Sequence, residues 1–251
     1  MKTYLDKIID YKISEVKSMK PLDIEREKPV ISITSSLAEK PFIAEIKKSS
    51  PSAGVIKKDA DIKAIASAYK NGGAGAISVL TDSNYFNGSY SDLTEVSQAA
   101  NLPILCKDFI VDKIQIENAY KSGADCILLI AAVHEKNKLE DLSAIAFEAG
   151  LDVLFELHEF DEMELIENIN CKMVGVNSRN LKTFNIDLAH GASVIQKISA
   201  GYLRVAESGI NNVSDVQLMR KAGADAFLIG TALMKSENPE IILRSLAQGA
   251  V

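Results

Sequence analysis

The sequence is poor in the residues that mark several classes of protein. It has no tryptophan, three histidines and three cysteines in 251 residues. The cysteines, at positions 106, 126 and 171, are odd in number and far apart, which predicts neither a disulfide framework nor a zinc site. No apolar run reaches the roughly 18 residues of a membrane-spanning helix, and the N-terminal MKTYLDKIIDYK is too charged for a signal peptide. We therefore expect a cytoplasmic protein with no bound metal and no membrane partner.

The chain also lacks an excess of positive charge. It carries 28 lysines and arginines against 34 aspartates and glutamates, a net charge of −6. Because a nucleic-acid binder needs a basic face to neutralise phosphates, this balance argues against a nucleic-acid partner. A small anionic substrate stays possible, since a cleft can be locally basic on an acidic protein.

After residue 40 the chain alternates regularly between short apolar runs and amphipathic helical segments. The apolar runs predict eight strands, at residues 42–46, 76–80, 103–106, 126–130, 153–157, 173–176, 203–206 and 226–229. The helices between and after them are predicted at residues 61–71, 92–99, 112–121, 136–149, 161–169, 187–198, 213–221 and 240–247. Continuous apolar runs alternating with helices indicate parallel strands joined by helical crossovers.

Length and repetition favour a closed barrel over an open, doubly wound sheet. The segments KNGGAGAISVL, KSGADCILLI and KAGADAFLIG repeat one helix end, glycine turn and strand. No GxGxxG or GxxxxGK[ST] motif follows the first strand, which weakens the nucleotide-binding alternative. We predict an α/β fold: a single-domain (β/α)8 TIM barrel over residues 41–251, which is close to the usual length of about 250 residues. Residues 1–40, with helical patterns at 3–18 and 32–40, are expected to form an N-terminal helical extension packed on the barrel.

Charged and hydrogen-bonding residues concentrate at the predicted C-terminal ends of the strands, where the active sites of such barrels lie. In chain order the residues at these strand ends, with two phenylalanines among them, are Glu45, Lys47, Thr81, Asp82, Phe86, Lys107, Asp108, Phe109, Glu156, Asn177, Ser178, Arg179, Glu207, Ser208, Gly209, Gly230 and Thr231. Buried charges persist only when they are paired or used. Three glutamates and two lysines at one barrel mouth therefore predict an active site rather than ordinary packing.

The last two strand ends predict a phosphate site. Ser208, Gly209, Gly230 and Thr231 supply hydroxyls and accessible backbone N–H groups in the two loops where these barrels recurrently bind phosphate. Ser50, in the loop after the first strand, is expected to reach the same anion. This pattern predicts a phosphorylated small molecule as substrate but does not identify the reaction.

Seven segments, in order, resemble the indole-3-glycerol-phosphate synthase family of tryptophan biosynthesis. They are AEIKKSSPSAGVI, SVLTDSNYFNGS, LPILCKDFI, LFELH, VGVNSRNLKTF, VAESGI and AFLIGTALM. The family's N-terminal helical segment is similar in place to residues 1–40. The resemblance implies a carboxy-lyase that converts 1-(2-carboxyphenylamino)-1-deoxyribulose 5-phosphate to indole-3-glycerol phosphate by ring closure, decarboxylation and dehydration. It also implies that no metal or organic cofactor takes part.

The resemblance implies roles for the charged residues. Lys107 is similar to the family's general acid, and Lys47 to the lysine that holds the substrate carboxylate. Glu156 resembles the acid/base carboxylate of the dehydration step. Glu45 and Glu207 resemble carboxylates that keep the lysines charged and contact substrate hydroxyls. Which of Glu156, Lys47 and Glu45 makes each proton transfer is left open by the residues themselves.

The resemblance also implies the binding residues. Asn177, Ser178 and Arg179 match substrate-binding positions. Phe86 and Phe109 fall where the family packs aromatic rings against the anthranilate, although ordinary packing at the barrel mouth explains them nearly as well. The phosphate cradle is matched by Ser50, Ser208, Gly209, Gly230 and Thr231. The three histidines, at positions 134, 158 and 190, are expected in packing or solvent-exposed positions.

Three other functions fit parts of the pattern. A class I aldolase would use Lys107 or Lys47 as a Schiff-base nucleophile, but the many carboxylates oppose the depressed lysine pKa that this requires. Phosphoribosylanthranilate isomerase usually has a cysteine base at the end of the first strand, where this chain has Glu45 and Lys47. A barrel that only binds a ligand or partner would be marked by loss of Glu45, Lys107 or Glu156, and all are present. We expect a monomer or weak homo-oligomer with no fused isomerase domain.

Overall fold

The computed structural model describes residues 3–180 and 182–250. Met1, Lys2, Leu181 and Val251 lie outside these ranges. The outer ends of the predicted segments 1–40 and 41–251, and Leu181 of the segment VGVNSRNLKTF, therefore lie outside the described residues.

Eight parallel strands close into a barrel in which each strand pairs with the next along the chain and the last pairs with the first. The strands are β1 Phe42–Ile46, β2 Ala76–Leu80, β3 Ile104–Lys107, β4 Cys126–Ile130, β5 Asp152–Leu157, β6 Met173–Asn177, β7 Leu203–Glu207 and β8 Ala226–Ile229. Each predicted strand is found within one residue of its expected bounds. With helices flanking the strands, the prediction of a (β/α)8 TIM barrel is confirmed.

The strands are uniformly apolar because both faces of the sheet are buried. In β4, Ile127 and Leu129 belong to the outer core between sheet and helices, while Cys126, Leu128 and Ile130 belong to the core inside the barrel. Successive side chains of a strand point to opposite faces, so a barrel wrapped in helices needs apolar residues at every position. Charges are consequently confined to the strand ends.

Helices surround the barrel, and most begin at a side chain that accepts a backbone N–H of the first turn. Within the described residues they are α1 Tyr4–Val16, α2 Ile33–Glu39, α3 Ile62–Asn71, α4 Ser83–Phe86, α5 Tyr90–Ala99, α6 Lys113–Lys121, α7 Lys136–Glu148, α8 Leu188–Lys197, α9 Val213–Ala222, α10 Thr231–Lys235 and α11 Pro239–Ala247. Asp61, for example, accepts the N–H of Ala64 at 3.0 Å, a cap that contributes about 1 kcal/mol to helix stability.

One predicted helix is wrong. Instead of an α-helix over residues 161–169, the chain after β5 forms a 3₁₀ turn at Phe160–Leu165. In this segment Ile166 is the fully buried residue, so little apolar surface holds a longer helix against the barrel. The Glu162 carboxylate instead accepts the backbone N–H of His158 at 2.7 Å, which tightens the turn.

The N-terminal segment contacts both ends of the barrel. Ile8 of α1 is buried where the strands end, whereas Ile33 and Leu37 of α2 join the apolar core inside the opposite end. Between the two helices, Arg26 forms an ion pair with Asp125 at 2.6 Å. These contacts support the proposal that residues 1–40 are an extension packed on a single barrel domain of residues 41–251. None of the helices in the described ranges has the length and hydropathy of a membrane span.

Candidate active site

A cavity of about 220 Å³ opens at the C-terminal ends of the strands. It brings together the strand-end residues predicted from the sequence, apart from Thr81, Asp82 and Ser178. Those that line it are Glu45, Lys47, Ser50, Phe86, Lys107, Asp108, Phe109, Glu156, Asn177, Arg179, Glu207, Ser208, Gly209, Gly230 and Thr231. Because these residues come from seven strand ends, the barrel itself provides the convergence.

Ser178 is the one predicted substrate-binding residue that does not line the cavity. It is 3% exposed, and its side chain faces α8, where a Cβ atom built on Gly191 would lie 2.3 Å from Ser178 Oγ. Its backbone N–H donates to the carbonyl of Glu207 at 2.9 Å. Neighbours along an extended chain point in opposite directions, so when Asn177 and Arg179 line the cavity the residue between them turns away. We therefore leave Ser178 out of the proposed site.

Lys107, the last residue of β3, is held between two buried carboxylates. Its Nζ lies 2.9 Å from Glu156 Oε2 and 3.0 Å from Glu207 Oε2. Burial by itself would lower the pKa of Lys107, but the charges of Glu156, Glu207 and Glu45 outweigh it, and the pKa is raised above that of an ordinary lysine. The side chain is an ammonium at neutral pH.

The two carboxylates beside Lys107 are shifted in opposite directions. Burial favours the protonated form of both. At Glu156 the charges of Lys107 and His158 overcome burial, and the pKa is lowered. At Glu207 burial is reinforced by the carboxylates of Glu156 and Glu45, so the pKa is raised despite Lys107. Glu156 is therefore ionised at neutral pH, whereas Glu207 holds a proton more readily than an exposed glutamate.

Glu45 and Lys47 form a second charged pair at the end of β1. The Lys47 ammonium contacts Glu45 Oε1, as expected for side chains two residues apart on one face of a strand. The buried Tyr69 hydroxyl donates to the Glu45 carbonyl at 3.1 Å and fixes the strand end. A Cβ built on Gly230 would lie 2.2 Å from Glu45 Oε1, so glycine is required there for the carboxylate to keep its place.

Arg179 connects two loops that border the cavity. Its Nη1 donates to Ser52 Oγ in the loop after β1 and to the carbonyl of Phe184 in the loop after β6, both at 3.3 Å. Burial lowers the pKa of Arg179, with Glu45 opposing the change. An arginine nevertheless stays charged, and this guanidinium adds to the positive charge at the mouth.

The predicted phosphate residues gather at the ends of β7 and β8. Ser208 has a φ of 64° and Gly209 a φ of 84°; the left-handed region is uncommon for serine and clusters at functional sites. Gly230 directly precedes α10, whose first residue is Thr231. Ser50 Oγ accepts the N–H of Ala53 at 3.1 Å. This part of the cavity thus combines hydroxyls with glycine backbone in close-approach positions.

Several cavity residues were not predicted from the sequence. Tyr4, Leu5 and Ile8 of α1 line the mouth, as does Phe184. The sequence shows that α1 has an apolar face but not which surface that face covers. His158 was expected in a packing or exposed position, yet its Nε2 lies 3.8 Å from Glu156 Oε1. Glu156 and His158 are two residues apart in the segment LFELH, and side chains two apart in an extended chain lie on the same face. That spacing could have predicted the contact.

The described ranges contain no group of three or more histidine, cysteine or acidic side chains arranged to hold a metal ion.

A search for related proteins identifies the family. Residues 5–246 match the family model described as "Indole-3-glycerol phosphate synthase". The chain belongs to the indole-3-glycerol phosphate synthase family. This confirms the resemblance seen in the seven sequence segments, and with it the enzyme class, a carboxy-lyase of tryptophan biosynthesis.

Family members from two bacilli show how much of the chain is shared. The indole-3-glycerol phosphate synthase of Bacillus cereus (strain ATCC 10987 / NRS 248) is 40% identical over 241 residues, which cover 95% of each chain. The enzyme of Bacillus thuringiensis (strain Al Hakam) gives the same identity and coverage. The similarity therefore includes the N-terminal segment as well as the barrel.

Solved structures with little sequence similarity share the fold alone. A 3-hexulose-6-phosphate synthase superposes with a TM-score of 0.67 at 15% identity, over 84% of this chain and 100% of that one. A thiamine phosphate pyrophosphorylase from Pyrococcus furiosus gives a TM-score of 0.64 at 16% identity, over 86% and 97% of the two chains. Function is argued from the site and the family instead.

Proposed function

We propose that the cavity converts 1-(2-carboxyphenylamino)-1-deoxyribulose 5-phosphate to indole-3-glycerol phosphate, with release of carbon dioxide and water. The observation that carries the proposal is the Lys107 ammonium held between the buried carboxylates of Glu156 and Glu207. It lies in a cavity that also has an aromatic pair and a hydroxyl- and glycine-rich cradle. Family membership supports the reaction, and the geometry supports the roles proposed below.

Lys107 acts as the general acid of ring closure. When an aryl carbon attacks the ribulose carbonyl, negative charge develops on the carbonyl oxygen. An alkoxide is a far stronger base than the neutral amine of a lysine, so Lys107 can transfer its proton even though its own pKa is raised. The two glutamates keep Lys107 charged before the substrate reacts, and the low solvent exposure of all three side chains strengthens the interaction of Lys107 with the oxyanion.

Lys47 binds the substrate carboxylate that leaves as carbon dioxide. It lines the same cavity as Lys107 and is paired with Glu45, which holds its ammonium in place. Binding the carboxylate orients the aryl ring for attack. Asn177 and Arg179 complete this side of the substrate site with an amide and a second positive charge.

Decarboxylation restores the aromatic aryl ring, and Glu156 then removes the C–H proton of the new five-membered ring, whose loss together with the hydroxyl completes the indole. The lowered pKa of Glu156 keeps it ionised and available as a base. After ring closure Lys107 regains a proton from the Glu207 carboxyl, 3.0 Å away, and then protonates the departing hydroxyl. Glu207, whose pKa is raised, contacts a substrate hydroxyl and shares protons with the same lysine. We thus assign the dehydration step to Glu156 rather than to Lys47 or Glu45.

The phosphate group binds in the cradle of Ser50, Ser208, Gly209, Gly230 and Thr231. Hydroxyls and backbone N–H groups donate hydrogen bonds to phosphate oxygens, so the cradle can bind the phosphate without a further lysine. All five residues line the cavity.

The proposal includes no cofactor, because every step uses side chains of the chain itself. The working form is proposed to be a monomer or weak homo-oligomer in the cytoplasm.

The alternative functions fit the site less well. A Schiff base on Lys107 would need a low lysine pKa, and its pKa is raised. An isomerase of the phosphoribosylanthranilate type would need a reactive cysteine. Cys106, next to Lys107, is fully buried, and burial raises its pKa to about 12, so it is not a thiolate at neutral pH.

The proposal is tested by adding the carboxyphenylamino substrate to the purified protein and following indole fluorescence. The chain has no tryptophan, so the protein contributes little background. We expect turnover by the wild type, loss of it in Lys107→Ala and its retention in Cys106→Ala, the matched neighbour. Absence of turnover by the folded wild type would reject the proposed function.

A further inference from the structure

One buried charged cluster takes no part in the reaction proposed above. Lys12 of α1 is 1% exposed, and its Nζ lies 2.7 Å from Glu15 Oε2, 2.8 Å from Asp82 Oδ2 and 3.0 Å from Asp108 Oδ1. Burial would lower the pKa of Lys12, but Asp108 and Asp82 overcome it and the pKa is raised. Burying charges is an inefficient way to stabilise a fold. The parts of the chain that these ion pairs hold in place therefore indicate what the cluster does.

Each of the two aspartates also organises a loop of the cavity. Asp82 Oδ1 accepts the N–H of Tyr85 at 2.6 Å and caps α4, the helix that ends at Phe86. Asp108 Oδ1 accepts the N–H of Phe109 at 2.7 Å. Lys12 therefore contacts both the loop after β2 and the loop after β3. In the first loop its partner Asp82 directly precedes α4, and in the second its partner Asp108 directly precedes Phe109.

The two loops carry the aromatic pair of the cavity. The rings of Phe86 and Phe109 lie 6.0 Å apart, centroid to centroid, and both line the cavity. Helix α1 contacts the first of these loops a second time, since Tyr85 packs edge-on against Tyr4 at 5.8 Å and Tyr11 at 5.9 Å. The position of the aromatic pair thus depends on α1 through both charge and ring contacts.

We propose that Lys12 is a positioning residue that holds Phe86 and Phe109 against the aryl ring of the substrate and thereby sets its KM. Lys12 is not among the residues that line the cavity; it acts through Asp82 and Asp108. The inference rests on the proposed function, because it takes the aryl group of that substrate as the partner of the two rings. Lysine is suited to the task, since one compact ammonium has donors for three carboxylates.

The test compares the kinetics of Lys12→Met with those of Lys7→Met, an exposed lysine on the same helix. We expect Lys12→Met to raise KM about tenfold, because small displacements of binding groups have large effects. Its kcat should stay within about twofold of the wild type, the pattern of lost uniform binding. Inhibition by inorganic phosphate should be unchanged in both variants, since the phosphate cradle is built from other strand ends.

The outcomes separate positioning from mere stability. If Lys12→Met lowers the melting temperature but leaves KM unchanged, the proposal is wrong. If Lys12→Met does not fold, Lys12→Met combined with Asp108→Asn removes one of the two fully buried carboxylates left unpaired and keeps an oxygen acceptor for Phe109, and the same KM comparison applies. If the wild type has no turnover, the proposed function fails by itself. The inference is then decided by calorimetric binding of indole-3-glycerol phosphate. If Lys12 positions the aromatic pair, the variant should bind it about tenfold more weakly than the wild type, and equal affinities would contradict the inference.

Discussion

At the scale of single residues, the site depends on charges that compensate one another in a small volume. Lys107 has two carboxylates within 3.0 Å, and Lys47 contacts a third, that of Glu45. One carboxylate is therefore in excess over the two lysines, and Glu207 is the one whose pKa is raised. Residue types and strand ends were predictable from the sequence, but this division between Glu156 and Glu207 was not, because it depends on distances.

The raised pKa of Glu207 makes a prediction about stability. A carboxyl whose pKa is higher in the folded state contributes stability that is complete below the unfolded pKa and is lost as pH rises through the folded value. Glu207→Gln should therefore lose less stability than the wild type between about pH 5 and about pH 8. Urea unfolding at both pH values measures this, with exposed Glu237→Gln as control. Equal losses in wild type and Glu207→Gln would contradict the assignment.

Gly230 tests the packing around the Glu45–Lys47 pair. A Cβ at this position would lie 2.2 Å from Glu45 Oε1, so Gly230→Ala should displace Glu45 and with it Lys47. We expect kcat/KM to fall about 100-fold. Gly201→Ala is the control, because the nearest atom to its Cβ would be 3.7 Å away, and it should have wild-type kinetics. Normal kcat/KM in Gly230→Ala would show that the Glu45 position is not critical.

At the scale of elements, the barrel strands were predictable and the placement of the first helix was not. A strand buried on both faces is a short, uniformly apolar run, which the sequence displays directly. The stripe on α1 predicts a buried face, but the surface it covers is determined by residues far along the chain, such as Asp82 and Asp108. The position of Ser178 outside the cavity lining has a related cause, since its neighbours indicated a site while strand geometry turns its side chain toward α8.

Helix α2 supports the fold at the end of the barrel away from the cavity. Leu37 is 1% exposed and belongs to the core inside the barrel. Leu37→Ala should lower the free energy of unfolding by about 3 kcal/mol through lost burial and a cavity, with kcat unchanged. Chemical denaturation and steady-state kinetics test the two expectations, and exposed Glu39→Ala is the control. A large loss of kcat at full folding would show that α2 affects the site.

At the scale of the whole molecule, the two ends of the barrel have different tasks. The end covered by α2 closes an apolar core, whereas the end covered by α1 holds the charged cavity. The sequence predicted this polarity because polar residues follow the strands rather than precede them. It did not predict that one N-terminal segment contacts both ends, since that requires the three-dimensional path of residues 17–32.

Binding of phosphate should stabilise the whole fold, because a ligand that binds only the native state adds to its stability. Inorganic phosphate should therefore raise the melting temperature of the wild type. The rise should be smaller in Thr231→Val and unchanged in Thr34→Val, which alters a threonine at the opposite end of the barrel. Differential scanning calorimetry over a phosphate titration measures both. An equal rise in all three proteins would place the anion elsewhere.

The central claim, that Lys107 is the acid of ring closure, is tested most directly by chemical rescue. The protein is Lys107→Ala, checked for folding by circular dichroism, and the rate of indole formation is followed while a small primary alkylamine is added. The account predicts a loss of about 10³-fold in kcat, partly restored by the amine in its ammonium form and unaffected by the same concentration of sodium ion. A variant that keeps near-wild-type kcat, or a loss that the amine does not reverse at any concentration while the cavity still binds product, would contradict it.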